Sequence, residues 1–253
     1  MTAPLFVAPR AALVSDDVLL GGAEGRHAAA VRRIRVGERI DLTDGAGLLL
    51  ECVATEVFGK ESVRCAVVDR IAVAAPALRF VVVQAIPKGD RGELAVEVLT
   101  EVGADVIVPW AASRCVVSWR GERGERAQRR WVSTAHEAAK QAHRAWLPEL
   151  RAVATTDEVA ELLRGATLAV VLHEDADAPL GALQVPSSGE VVVVVGPEGG
   201  VAPAELEVFA AAGAHVTRLG PTVLRTSTAG VTALGVLMSR SARWGAAPSG
   251  PTI

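Results

Sequence analysis

The chain has only three cysteines, Cys52, Cys65 and Cys115, widely spaced and with no CxxC pair among them. An odd, scattered set excludes a disulfide framework or a structural zinc site as the organising principle, and it fits a reducing cytosol. No apolar run approaches the roughly 20 residues of a membrane helix, and Met1 to Arg10 lack a charged segment followed by an apolar stretch. The expectation is a soluble cytoplasmic protein with no membrane contact. Positive charge is not in excess either: the net charge is −3, so nothing attracts nucleic acid globally and any RNA-binding surface must be local. His136 and His143 lie seven residues apart on one expected helix but have no further ligands at matching spacing, so no metal is expected.

What the chain does have is core. Half of its 253 residues are hydrophobic, enough for one large domain or two modest ones. From Leu5 to about Val73 short apolar runs, such as Ile40 with Leu42 and Leu48 to Val53, alternate with turn residues at Thr43-Asp44-Gly45 and Phe58-Gly59-Lys60. This predicts a small β-barrel. After the Ala-rich stretch around Pro76 the pattern changes to α/β. Strands are expected at Phe80 to Ile86, Val106 to Val108, Leu168 to Leu172, Val191 to Val195 and Val216 to Leu219. Helices are expected at Gly92 to Val102, Arg126 to Trp146, from Pro203, and at Thr228 to Arg240. Unbroken apolar strands between helices imply a parallel sheet covered on both faces.

Three strand ends carry the candidate chemistry. Val191 to Val195 runs into Gly196-Pro197-Glu198-Gly199-Gly200, a strand, a Gly-rich turn and then a helix, where open α/β folds bind ligands. The turn lacks the Lys-Ser/Thr of a phosphate loop, and Glu198 would repel a pyrophosphate but suits ribose hydroxyls or a cationic ligand. A tight turn without any ligand is the plain alternative. The segment Leu219 to Gly230 again joins a strand to a helix; Thr226, Ser227 or Thr228 could cap that helix, and Arg225 offers a planar fork for phosphate or an anionic base. Leu172-His173-Glu174-Asp175 adds titratable groups at the same edge, though surface solvation explains them equally well.

Basic residues are concentrated. Between Arg114 and Arg151 nine cations face four anions, a local net charge of +5, with Trp110, Trp119, Trp131 and Trp146 in or beside the segment. His136, Lys140 and Arg144 share a helix face at i, i+4, i+8 spacing. A second cluster contains Arg26, Arg32, Arg33, Arg35 and Arg39. Basic patches interleaved with aromatics suit RNA phosphates and unstacked bases; a solvated helix face over buried tryptophans is the competing account.

Pro87-Lys88-Gly89-Asp90, Leu99 to Gly103, Glu137 to Gln141 with Arg144 and Pro148, Gly196 to Gly200 and Leu219 to Thr226 together resemble the RsmE family, the 16S ribosomal RNA uracil-N3 methyltransferases of the SPOUT superfamily. Glu24 to His27 and Arg35 to Arg39 are similar to that family's N-terminal domain. The resemblance implies a PUA-like β-barrel RNA-binding domain over residues 1–74 and a SPOUT α/β methyltransferase domain with a trefoil knot over residues 75–253. It also implies a homodimer, S-adenosylmethionine as cofactor, and 16S ribosomal RNA or the assembled small subunit as partner. Carried over by position, the cofactor would lie against Leu172, His173 and Glu174, against Gly196, Pro197, Glu198, Gly199 and Gly200, and against Leu219, Gly220, Pro221, Leu224, Arg225, Thr226, Ser227, Thr228 and Ala229. Arg225 would face the reacting base as the catalytic residue. RNA would lie on Arg26, Arg32, Arg33, Arg35, Arg114, Lys140 and Arg144. The family commonly has Glu where this chain has Ser227, so a carboxylate role there does not carry over. A ribose 2′-O-methyltransferase of the same superfamily and a non-catalytic ribosome-assembly factor are the alternative readings.

Overall fold

Residues 3–245 are described by the computed structural model; the outermost residues of the two expected domains, 1–2 and 246–253, lie outside that description. The chain divides into two compact units. One runs to Ala75 and takes in Ala139–Leu147, and the other comprises Pro76–Ala138 and continues from Pro148.

The first unit holds β1 (Leu5–Val7), β2 (Asp17–Leu20), α1 (Gly22–Arg26, running on as a wide π turn over His27–Val31), β3 (Arg39–Thr43), β4 (Leu48–Phe58) and β5 (Ser62–Ala72). Its sheet has the order β1-β3-β4-β5-β2, with β1 parallel to β3 and the other pairs antiparallel. Alternate residues (Val18 and Leu20, Ile40 and Leu42, Leu50 and Cys52, Val63 and Cys65) are buried in one core, as the two-residue period of a strand requires. At the β3–β4 turn Asp44 Oδ1 accepts from the backbone N–H of Ala46 and of Leu48, and at the β4–β5 turn Gly59 takes φ +58. Burial pushes the Cys52 thiol up to about 12 and Cys65 to about 11, so both are inert packing groups.

The second unit holds β6 (Leu78–Ala85), α2 (Arg91–Val102), β7 (Val106–Trp110), α3 (Gly121–Gln141, whose last residues are counted with the first unit), β8 (Glu149–Leu150), α4 (Thr156–Gly165), β9 (Leu168–Leu172), β10 (Gly189–Val195), α5 (Pro203–Ala211), β11 (His215–Thr217), α6 (Thr226–Met238) and α7 (Ala242–Gly245). All six strands are parallel, in the order β11-β9-β10-β6-β7-β8. Phe80, Val82, Val191, Val193 and Val195 share one core with Val96 and Leu99 of α2 and Leu234 and Leu237 of α6. Val81, Val83, Val192 and Val194 share the other with Val159 and Leu163 of α4 and Phe209 of α5. Each buried valine contributes on the order of 1.5–2 kcal/mol of transfer free energy. This double burial is why β10 reads as an unbroken valine run.

Two helices differ in their bounds from the sequence expectation. α3 covers Gly121–Gln141, not Arg126 to Trp146. It stops because the His143 N–H donates to the Lys140 carbonyl and the Arg144 N–H to the Ala139 carbonyl, while His143 takes φ 51. This is a Schellman stop with histidine in the left-handed position that glycine usually takes. α6 opens at Thr226 rather than Thr228, with Arg225 as its N-cap residue and no side-chain cap.

Candidate active site

In a parallel sheet every strand's carboxyl end points to the same edge, so the loops after β9, β10 and β11 converge in the second unit. They enclose a cavity of about 260 Å³. Of the residues singled out from the sequence, Leu172, His173, Glu174, Gly196, Pro197, Glu198, Gly200, Leu219, Gly220, Leu224, Arg225, Thr226 and Ala229 line it. Gly199, Pro221, Ser227 and Thr228 do not. Ser227 is buried at 3% exposure in the first turn of α6, while Thr228 is exposed. Thr222 and Val223, within the expected Leu219 to Gly230 segment, line it too, and so do Arg91, Val195, Val201 and Arg218, which were not named as site residues. Arg91 follows the loop at the end of β6, so the strand-end rule that found the other three loops also reaches it.

The walls are tied together locally. The Thr226 hydroxyl, expected as a possible cap, instead donates to the Gly196 carbonyl oxygen at 2.7 Å; the Thr228 hydroxyl donates to Arg225 O at 3.3 Å. Arg218 Nη1 donates to Ala176 O at 2.7 Å, and the Arg218 backbone exchanges bonds with Ala178 and Leu180, so the β9 loop is fixed against the segment leading to α6. Glu198 Oε1 accepts from the Lys88 N–H at 3.2 Å, joining the Gly-rich turn to the β6 loop. A Cβ at Gly196 would meet Val201 Cγ2 at 2.8 Å, and Gly200 has φ +71, so both glycines are dictated by the turn itself. Gly220 differs: nothing lies within 4 Å of where its Cβ would be, leaving open space beside its backbone.

The donor set is specific. Two carboxylates (Glu174 and Glu198) and three arginines (Arg91, Arg218 and Arg225) line the cavity, flanked by apolar groups (Leu172, Val195, Leu219 and Ala229). The carboxylates offer acceptors for the hydroxyls and cationic centre of a nucleoside, and the apolar groups offer surface for its base. Arg225 is exposed at the start of α6, and its guanidinium has no hydrogen-bond or ion-pair partner among the described residues.

The expected RNA-facing residues fall into different environments. Arg26, Arg32, Arg33 and Arg35 are all exposed in the first unit. Arg114 is exposed but donates to Gly199 O at 2.9 Å, so it braces the Gly-rich turn. Arg144 is half-buried after the α3 stop. Lys140 is a correction. It is 4% exposed, and its ammonium donates to Glu24 Oε1 at 2.9 Å, so it is an internal ion-pair member rather than a phosphate contact. Helical spacing groups it with His136 and Arg144, but His136 is exposed and Arg144 half-buried, and only Lys140 is covered within the first unit. Among the described residues no cluster of His, Cys, Asp and Glu could hold a metal, and no helix is long and apolar enough to cross a membrane.

The sequence matches an RNA methyltransferase domain over residues 74–238 and an RNA methyltransferase PUA domain over residues 20–68. Proteins named ribosomal RNA small subunit methyltransferase E from Mycobacterium tuberculosis and Mycobacterium bovis are 42% identical over 253 residues, covering 98% of this chain and 96% of theirs. The chain belongs to the ribosomal RNA small subunit methyltransferase E family. The Bacillus subtilis protein of that name is 28% identical over 224 residues, covering 85% of this chain and 87% of its own. A crystal structure of the Neisseria gonorrhoeae protein of that name, bound to S-adenosyl methionine, is similar with a TM-score of 0.82 at 26% identity, covering 94% of this chain and 98% of that one. Membership makes this chain an RNA methyltransferase with a PUA domain at its N-terminal end.

Proposed function

We propose that the protein methylates N3 of a uridine in the 16S RNA of the small ribosomal subunit, using S-adenosylmethionine held in the cavity at the ends of β9, β10 and β11. The observation that carries this reading is the convergence of three strand-end loops on one carboxylate-bearing cavity with the unpartnered Arg225 at its rim. Glu174 and Glu198 are placed to accept hydrogen bonds from ribose hydroxyls or to face a sulfonium charge, and Leu172, Leu219 and Ala229 supply apolar surface for an adenine. The bound cofactor supplies an electrophilic methyl group.

The chain's own residues must then do two things. They align N3 in line with the bond that breaks, and they favour the N3-deprotonated base, since uridine N3 is mostly protonated at neutral pH. Arg225 does the second by donating hydrogen bonds to the carbonyl oxygens that flank N3, where negative charge accumulates once the proton has left. With the N3 proton released to solvent water, methyl transfer would form the N3–C bond and break the S–C bond, leaving a neutral thioether. Exposed Arg26, Arg32, Arg33 and Arg35 are read as phosphate contacts of an N-terminal RNA-binding domain ending near residue 74.

A homodimer, a cytoplasmic location and a trefoil knot in the C-terminal loops belong to the same reading. The strand order, with β9 between β10 and β11, supports the knot. Light scattering should return twice the 26.3 kDa chain mass. Mass mapping of methylated nucleotides in ribosomal RNA from a deletion strain, with and without the restored gene, tests the reaction. Loss of a base N3-methyluridine supports it, whereas loss of a ribose 2′-O-methyl group or of no modification overturns it.

A further inference from the structure

The second unit carries another cavity, of about 400 Å³, that the methyl-transfer chemistry does not use. It lies on the other side of the β6–α2 loop. Arg91 lines the first cavity, while its neighbours Asp90 and Gly92 line the second. Its opposite wall is one face of α3, where Arg123, Ala127, Arg130 and Trp131 follow i, i+4, i+7, i+8 spacing.

Two glycines build its aromatic floor. A Cβ at Gly92 would come within 2.7 Å of the Trp131 ring, and one at Gly124 within 2.6 Å of the Trp119 backbone, so only glycine lets these tryptophans approach. The two indoles meet edge to face, with centroids 4.8 Å apart and planes at 78°. Trp131 is 2% exposed, whereas Trp119 is only half-buried and lines the cavity. The rim is charged in both senses. Arg130 Nε is 3.3 Å from Glu93 Oε1, while Arg123 and Asp90 are exposed with no side-chain partner among the described residues.

The geometry points to a binding pocket for the base of an RNA nucleotide adjacent to the target uridine, stacked on Trp119 with its phosphate on Arg123. The inference rests on the proposed RNA methylation. A fixed half-open indole beside an arginine suits an unstacked base. Asp90 and Glu93 are acceptors that pair with an exocyclic amino group, so the pocket favours a cytosine or adenine over a uracil. The shared β6–α2 loop sets this pocket next to the reacting base, so a neighbouring nucleotide must leave the stack for N3 to be presented.

Two measurements test this. The first is tryptophan fluorescence of the full-length protein titrated with the single-stranded hexaribonucleotides C6, A6 and U6. C6 and A6 should quench at several-fold lower concentration than U6, and Trp119→Phe should remove most of the quenching. The second is methyl transfer to small subunits from a deletion strain. Trp119→Ala should lower kcat/KM by about tenfold to a hundredfold through KM for the subunit. Cofactor affinity should stay within twofold, and Trp119→Phe should recover most of the loss. If the wild type methylates while Trp119→Ala keeps full kcat/KM, or if Trp119→Phe is as damaging as Trp119→Ala, the pocket is only packing and the inference falls. If the wild type methylates no RNA, the parent reading falls instead, and the presence or absence of Trp119 quenching decides the pocket by itself.

Discussion

The Thr226 hydroxyl donates a 2.7 Å hydrogen bond to the carbonyl oxygen of Gly196. It joins the first residue of α6 to the first residue of the Gly-rich turn after β10, so two of the three loops around the cavity move as one. Removing the hydroxyl leaves a carbonyl without its partner, at about 1–2 kcal/mol. Thr226→Val should therefore weaken S-adenosylmethionine binding about tenfold by calorimetry while thermal melting drops by only a few degrees, and Thr226→Ser should restore both. Unchanged cofactor affinity in a folded Thr226→Val protein would show that the two loops are positioned independently.

Arg225 sits one residue before that contact, yet its guanidinium is left without a protein partner. Arg225→Ala should abolish methyl transfer, by a factor of about 100 or more in kcat, and leave cofactor affinity within a few fold, because its partner is the charge that develops on the uridine. Arg225→Lys keeps the charge but not the planar fork, so it should recover only part of the rate. Near wild-type turnover in Arg225→Ala would remove this side chain from the reaction.

The sequence revealed these loops because their signals are local: an apolar run ending in glycine, or a hydroxyl-rich start to a helix, follows from a few neighbouring residues. Strand order is not local, and nothing in Val191 to Val195 states that Leu168 to Leu172 lies between it and His215 to Thr217. The end of α3 was missed for a related reason. The stop is made by His143 at φ 51, and a histidine there carries none of the signal a glycine would. Arg91 lies just past Pro87-Lys88-Gly89-Asp90, a segment that carries the family resemblance but follows no Gly-rich strand-to-helix turn of the kind that marks the other loops. The periodicity that grouped Lys140 with His136 and Arg144 fixes a helix face but not whether that face is covered.

The buried Lys140–Glu24 pair separates structural charge from RNA-facing charge. Lys140→Met leaves Glu24, which is 25% exposed and also accepts from the Val7 N–H, without its cation, and should cost about 2 kcal/mol by urea unfolding. Its RNA affinity, measured on folded protein, should keep the wild-type dependence on salt. Reversing Arg32 and Arg33 to Glu should do the opposite, leaving stability within about 0.5 kcal/mol and lowering the log–log salt slope by roughly 2. A salt slope that falls for Lys140→Met and not for the arginine reversal would invert the assignment.

Asp41 supplies a prediction that depends on pH. It faces Glu51 directly across the β3–β4 pair, and its Oδ1 is buried with no hydrogen-bond partner. Burial first, and the Glu51 carboxylate second, push its pKa up from 3.8 to about 6, while Arg39 opposes them. Like charges opposite one another on a sheet are destabilising. Because the folded pKa is raised, the native state holds a proton that the unfolded chain has already lost between pH 4 and 6. Stability attributable to this group is therefore highest below pH 4, falls as pH rises through about 6, and stays reduced at neutral pH. Asp41→Asn removes the titration and keeps the shape. It should raise stability by about 1–2 kcal/mol at pH 7.5, with the advantage shrinking to near zero by pH 4, as read from urea unfolding at each pH. An advantage equal at both pH values would assign the gain to packing, and a loss at pH 7.5 would show that the Asp41 carboxylate is stabilised by its neighbours after all.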